Sequence, residues 1–144
     1  MLSQFFSPAH LPWTLAVLAM FGLTARRGGA DERLAAYTVV IAWLLTKLLY
    51  RYQGGQTEWG ILAVDLGAMA VFVQIALRSQ RHWPMFAAGF HLLSLVTHLA
   101  RTVDPTVGGW AYITAQIIWG YLLVFSIGYG AWTAPKRSAV TGPT

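Results

Sequence analysis

Cysteine is absent from the chain, which excludes disulfides, thiolate metal sites and thiol redox chemistry of the quinone-linked disulfide type. Charge is scarce as well. Only 10% of the 144 residues are charged, where a soluble domain carries about a quarter. The longest polar segments are the turn at 25–33 and the tail after Trp132, so no separate hydrophilic domain is expected and any chemistry should sit within a membrane or at its surface. Internal repeats, low-complexity tracts and nucleotide-binding motifs are also missing.

What the chain has instead is apolar length. Hydrophobic residues make up 56% of it and seven residues are Trp. Five apolar stretches, Phe5–Ala25, Leu34–Tyr50, Trp59–Leu77, Pro84–Ala100 and Trp110–Trp132, predict an all-α polytopic membrane protein. At about 1.5 Å per residue the shorter stretches reach about 25 Å, slightly less than a hydrocarbon core of about 30 Å. Snorkelling ends or local thinning would cover the difference. Gly28-Gly29 followed by Asp31 as a helix N-cap, Gly54-Gly55, Pro84 in a first turn, Asp104-Pro105 and Gly108-Gly109 punctuate the stretches. Such short breaks make successive helices antiparallel neighbours, so one up-down bundle is expected. An odd number of helices disfavours an inverted-repeat transporter within one chain.

The net charge of +5 reads as topology rather than as nucleic-acid binding, because the ten basic residues lie singly or in pairs at the ends of the apolar stretches. One side collects Arg26, Arg27, Arg33, Arg78, Arg81, Lys136 and Arg137, the other only Lys47, Arg51 and Arg101. This places the N-terminus outside and the C-terminus in the cytoplasm. The first stretch is preceded by no basic residue and followed by Arg26 and Arg27, the reverse of a secretory signal, so a retained helix is expected. Trp13, Trp59, Trp83, Trp110 and Trp132 fall at stretch ends and read as interfacial anchors. The compact Ala- and Arg-rich style and the lack of a eukaryotic targeting signal suggest a bacterial inner membrane.

Ionisable groups inside such stretches cost several kcal/mol unless paired or wet, which makes them the default functional candidates. Asp65 and Gln116 each lie six residues from the same-side end of their stretch, about 9 Å deep, and are expected to be able to meet. Lys47 and His98 lie near that side and His91 near the middle of its helix. His91, Ser94, His98 and Arg101 follow steps of three, four and three, which places them on one stripe of a helix. A stripe of that kind should face other helices or water, with Asp65, Gln116 and Lys47 as partners. Two meanings stay open. The cluster is either a polar vestibule that exchanges a proton, cation or polar ligand, or interhelical glue in which Lys47 holds Asp65 and the histidines bridge helices.

Haem is a further candidate cofactor, although no cofactor is expected first. His91 and His98 are about 10 Å apart along one helix and cannot both ligate one iron, which leaves His98 with His10 as the reasonable intrachain pair. In layout a five-helix, Trp-rich chain of this size resembles the tryptophan-rich sensory or translocator proteins. Their Trp-Pro-rich first loop and their porphyrin and cholesterol motifs have no counterpart here, so no residue role is carried over.

Three functions are therefore carried forward. The first is a non-enzymatic accessory, assembly or interaction subunit of a larger membrane complex, partnered by lipids, other membrane proteins or copies of itself. The second is a proton- or cation-linked small transporter or channel using Asp65, His91 and Gln116. The third is a haem or tetrapyrrole binder through His98 or His91.

Overall fold

A computed structural model of the chain describes residues 11–52, 58–104, 106 and 108–135. Among them are five helices and no strand: α1 (Leu11–Arg27), α2 (Ala30–Tyr52), α3 (Glu58–Arg78), α4 (Trp83–Val103) and α5 (Gly109–Trp132). Each helix packs on its neighbour in sequence, and α5 returns against α1 and touches α2, closing a five-helix bundle. Helix α4, which packs on α3 and α5, separates those two helices. The expected start of α1 at Phe5 lies outside the described residues.

Local chemistry accounts for the helix ends. Helix α2 begins earlier than the apolar pattern suggests, because its first turn carries Asp31 and Glu32. The expected Asp31 cap is corrected. The Gly29 carbonyl accepts the first helical bond from the Arg33 amide at 3.2 Å, and Glu32 Oε2 reaches back to accept the Gly29 N–H at 2.8 Å. That return bond is the carboxylate half of a capping box, satisfying a donor that helix geometry leaves over. Pro84 occupies the first turn of α4, where its missing N–H has no helical partner to lose. The helix ends at Asp104, whose backbone is extended and whose carboxylate accepts from the amide and hydroxyl of Thr106 at 2.9 and 2.6 Å.

The tightly packed core lies at one end of the bundle, where α1 finishes, α2 begins, α3 finishes, α4 begins and α5 finishes. This end carries Arg26, Arg27, Arg33, Arg78 and Arg81 and is called the basic end below. Ala35, Ala87 and Ala131 are fully buried there, and the large side chains Phe72, Ile75, Trp83 and Ile127 fill the space between helices. Small residues let the backbones approach and large ones interdigitate, the usual condition for close packing.

Two helices, α3 over Trp59–Arg78 with mean hydropathy 2.1 and α5 with 1.5, are long and apolar enough by themselves to cross a membrane. Among the described residues, two of the five expected stretches meet this measure. Of the other helices, α1 is described over 17 residues, and α4 carries two histidines and Arg101. The outward faces of all five helices are nonetheless apolar, with Leu15, Ile41, Leu77, Phe86, Ile113 and Phe125 each more than half exposed.

Candidate functional site

At the end opposite the basic one, α4 presents its polar stripe to both neighbours. Asp65 comes from the first half of α3, Tyr112 and Gln116 from the first half of α5, and His91, Ser94 and His98 from the middle and second half of α4. His98 Nε2 lies 3.1 Å from Asp65 Oδ2, and His98 Nδ1 lies 2.7 Å from the Tyr112 hydroxyl. One imidazole thus joins a carboxylate on one helix to a phenol on another. With the carboxylate ionised and the imidazole neutral, Nε2–H donates to Asp65 and Tyr112 donates its hydroxyl hydrogen to Nδ1. A second proton on the imidazole would make Nδ1 a donor and turn the phenol oxygen into the acceptor.

The Asp65 and His98 side chains are 13% and 12% exposed, so the line is nearly enclosed. Arg101 sits over the Tyr112 ring at 4.7 Å, a cation–π contact that places positive charge beside the phenol. His91 is buried. Its Nε2 lies 2.9 Å from the backbone carbonyl of Asp65, and because a carbonyl only accepts, that nitrogen carries the hydrogen. Phe72 packs edge-on against the same ring at 5.1 Å. His91 therefore ties α4 to α3 next to the Asp65 backbone, while the Asp65 carboxylate turns to His98.

The stripe, expected to face other helices or water, divides between two neighbouring helices. Ser94 Oγ donates to Gln116 Oε1, and Gln116 Nε2 returns a bond to the Ser94 carbonyl at 3.2 Å. The expected meeting of Asp65 with Gln116 is replaced by two separate pairs, because α4 stands between α3 and α5. One turn along, Trp119 Nε1 donates to Thr97 Oγ1 at 3.3 Å. Lys47 lies 5.9 Å from the Trp43 ring centroid on its own helix. His10 lies outside the described residues. His98 has both ring nitrogens engaged, so ligation of iron by His98 would first require breaking one of these bonds, whereas the bond that His91 makes engages its Nε2 alone. Among the described residues no group of three or more His, Asp or Glu side chains is placed to hold a metal ion.

A second polar network, at the basic end, was not anticipated. Glu32 is 4% exposed, and its Oε1 pairs with the Arg81 guanidinium and accepts the Trp83 indole N–H at 3.0 Å. Arg81 Nη2 also donates to the Gly130 carbonyl at 2.8 Å and to Thr133 Oγ1 at 2.6 Å. Three helices are thereby pinned together. Trp83, expected as an interfacial anchor, is instead a core residue at 3% exposure, whereas Trp59, Trp110 and Trp132 are mostly exposed. The available signal was Glu32 itself, one of only five acids, placed three residues after a glycine where a capping carboxylate belongs. A cleft of about 870 Å³ lies beside this network, lined in part by Arg81, His82, Phe86 and Tyr129.

In comparisons with known proteins, no family model, no curated protein and no solved structure matches the chain.

Proposed function

We propose that the chain is a five-span, non-enzymatic protein of a bacterial inner membrane that works by helix packing within a larger complex or with copies of itself. In this reading Asp65, His98 and Tyr112 form a proton-sensitive clasp on its outer side. The observation that carries the reading is an inside-out distribution of polarity. Large apolar side chains cover the outward faces of all five helices, while Asp65, His91, Ser94, His98 and Gln116 bond to one another across helix interfaces. A chain folded in water would invert that pattern, and a chain in lipid must satisfy its polar groups internally. Helices α1, α2 and α4 accordingly cross beside α3 and α5, with the basic end in the cytoplasm.

Proton sensitivity follows from the clasp. Charge on His98 changes which atom donates between α4 and α5, so protonation is coupled to how those helices are held. Phe72, Ile75, Trp83 and Ile127 fill the core at the cytoplasmic half, which favours one-sided proton binding over conduction by a lone chain. Purification in mild detergent through a C-terminal tag, with native mass and co-purifying proteins determined together, tests the packing role. A defined assembly, either a larger complex or a homo-oligomer, is expected. A monomer recovered without partners would overturn it.

The line of three titratable groups favours a second reading, proton-linked transport by an oligomer. That reading predicts a pH-dependent flux in proteoliposomes that is abolished by Asp65→Asn in a folded variant, and an unchanged flux would eliminate it.

A further inference from the structure

We infer that the groove between α1 and α5 binds one anionic phospholipid of the cytoplasmic leaflet, an acyl chain lying along the groove and the headgroup phosphate held by Arg26, Arg27 and Arg33. The inference rests on the membrane reading above. The groove, about 440 Å³, is formed by Ala16, Ala19 and Leu23 of α1 facing Tyr121, Phe125 and Gly128 of α5, with Trp132 at its end. From Tyr121 to Trp132 it runs about 16 Å along the helix, close to the hydrocarbon depth of one leaflet, about 15 Å. Ala16, Ala19 and Gly128 form its shallow stretch, where small side chains leave room between the two helices.

Trp132 also lines a second pocket of about 290 Å³, together with Arg26, Arg27, Gly28, Arg33, Ala134 and Pro135. Among the described residues, three guanidinium groups line it and no acid does. Glu32, the nearest buried carboxylate in sequence, is already taken up by Arg81, Trp83 and the Gly29 amide. Arg27 stacks over the Trp132 ring at 4.7 Å, which holds its charge at the junction of groove and pocket. Arg33 uses Nη2 on the Ala25 carbonyl at 3.1 Å, while its Nε is buried with no hydrogen-bond partner. A phosphate oxygen is an acceptor of the charge and geometry that guanidinium groups bind best, and the cytoplasmic leaflet supplies anionic lipid at this depth.

The test uses the full chain reconstituted in nanodiscs of phosphatidylcholine alone or with phosphatidylglycerol, with native mass spectrometry of the detergent-purified protein as a second readout. Equimolar phosphatidylglycerol should survive on the wild-type protein, and the thermal midpoint should be higher in discs containing it. Each arginine replaced by glutamine should weaken the preference about fivefold. Ala19→Phe, at an exposed position, keeps every arginine but fills the groove and should also abolish lipid retention. Full preference in the Ala19→Phe protein would reduce the arginines to a general surface attraction and overturn the groove assignment. Soluble glycerol phosphate that reproduced the stabilisation would do the same. A protein that inserts into phosphatidylcholine discs yet shows no preference for phosphatidylglycerol refutes the lipid site and leaves the membrane reading intact. A protein that does not insert at all refutes both.

Discussion

The indole N–H of Trp83 donates to Glu32 Oε1 across 3.0 Å, joining the start of α4 to the start of α2 through a carboxylate that also pairs with Arg81. This contact turns a tryptophan at a helix end into a core residue. Its ring lies against Gly130 of α5, so one side chain fixes three helices at once. The same carboxylate caps its own helix through the Gly29 amide. Helix initiation and tertiary packing at the basic end therefore depend on one acid.

Removing that acid's charge should cost more than removing the indole donor. Glu32→Gln leaves the Arg81 guanidinium without its ion-pair partner and should destabilise by about 2–3 kcal/mol, less than a fully buried pair because Arg81 is partly exposed. Trp83→Phe keeps most of the ring and deletes one hydrogen bond, so about 1 kcal/mol plus a packing loss of similar size is expected. Unfolding monitored in mild detergent measures both. A Glu32→Gln protein as stable as wild type would show that the network contributes packing alone.

Two glycines two residues apart on α5 should respond oppositely to alanine. A Cβ at Gly130 would sit 2.6 Å from the Trp83 ring, whereas one at Gly128 would have no heavy atom within 4 Å. Gly130→Ala should therefore destabilise by about 1–3 kcal/mol as overpacking. Gly128→Ala should be neutral or stabilising by up to about 1 kcal/mol through helix propensity. Thermal midpoints of the two variants decide the matter, and equal midpoints would contradict the packing described.

Apolar length and punctuation made the helices legible before any coordinates. The boundaries expected for α3, α4 and α5 lie within three residues of those observed, because Pro84, Asp104 and Gly108-Gly109 act locally through backbone geometry. Helix α2 starts at Ala30, two residues earlier than an Asp31 cap would allow, because the cap is Gly29, which is visible only once the Glu32 carboxylate is seen to reach back to the Gly29 amide. The polar stripe on α4 was legible from its spacing, since steps of three and four return to one face. The division of that stripe between α3 and α5 was not, because it depends on the rotation of each helix about its axis. Tyr112 is not legible for the same reason, since its bond to His98 appears only when α5 is placed against α4. Trp83 shows the limit most clearly, since sequence position alone cannot tell a ring facing headgroups from one facing a glycine on another helix.

Titration of Asp104 should report on the turn that ends α4. The Thr106 hydroxyl and then the Thr106 amide donate to its carboxylate and hold its pKa below the ordinary value of 3.8. A carboxyl whose folded pKa is depressed contributes stability above its unfolded pKa and loses that contribution as pH falls through the folded value. Thr106→Val deletes the larger of the two causes, so the Asp104 resonance followed by NMR should titrate closer to 3.8 than in the parent. An Asp104 titration unmoved by this change would assign the effect to the backbone bond alone.

The clasp makes a prediction about hydrogen positions that nitrogen NMR of labelled histidine can read. In the resting arrangement His98 carries its hydrogen on Nε2, facing Asp65, and accepts from Tyr112 at Nδ1. Tyr112→Phe removes that donor and should shift the Nδ1 resonance while leaving Nε2 bonded to Asp65, at a stability cost of roughly 1 kcal/mol for one interhelical hydrogen bond. Asp65→Asn removes the charge that fixes the tautomer and offers Nε2 an amide that can donate as well as accept, so the preference for Nε2–H should weaken and both resonances should move. Ser94→Ala serves as the contrast. Ser94 bonds to Gln116 and not to the histidine, so its loss should leave the His98 signals in place. If Tyr112→Phe and Asp65→Asn both left those signals unchanged, His98 would not link α3 to α5, and the proton-sensitive clasp would fall with it.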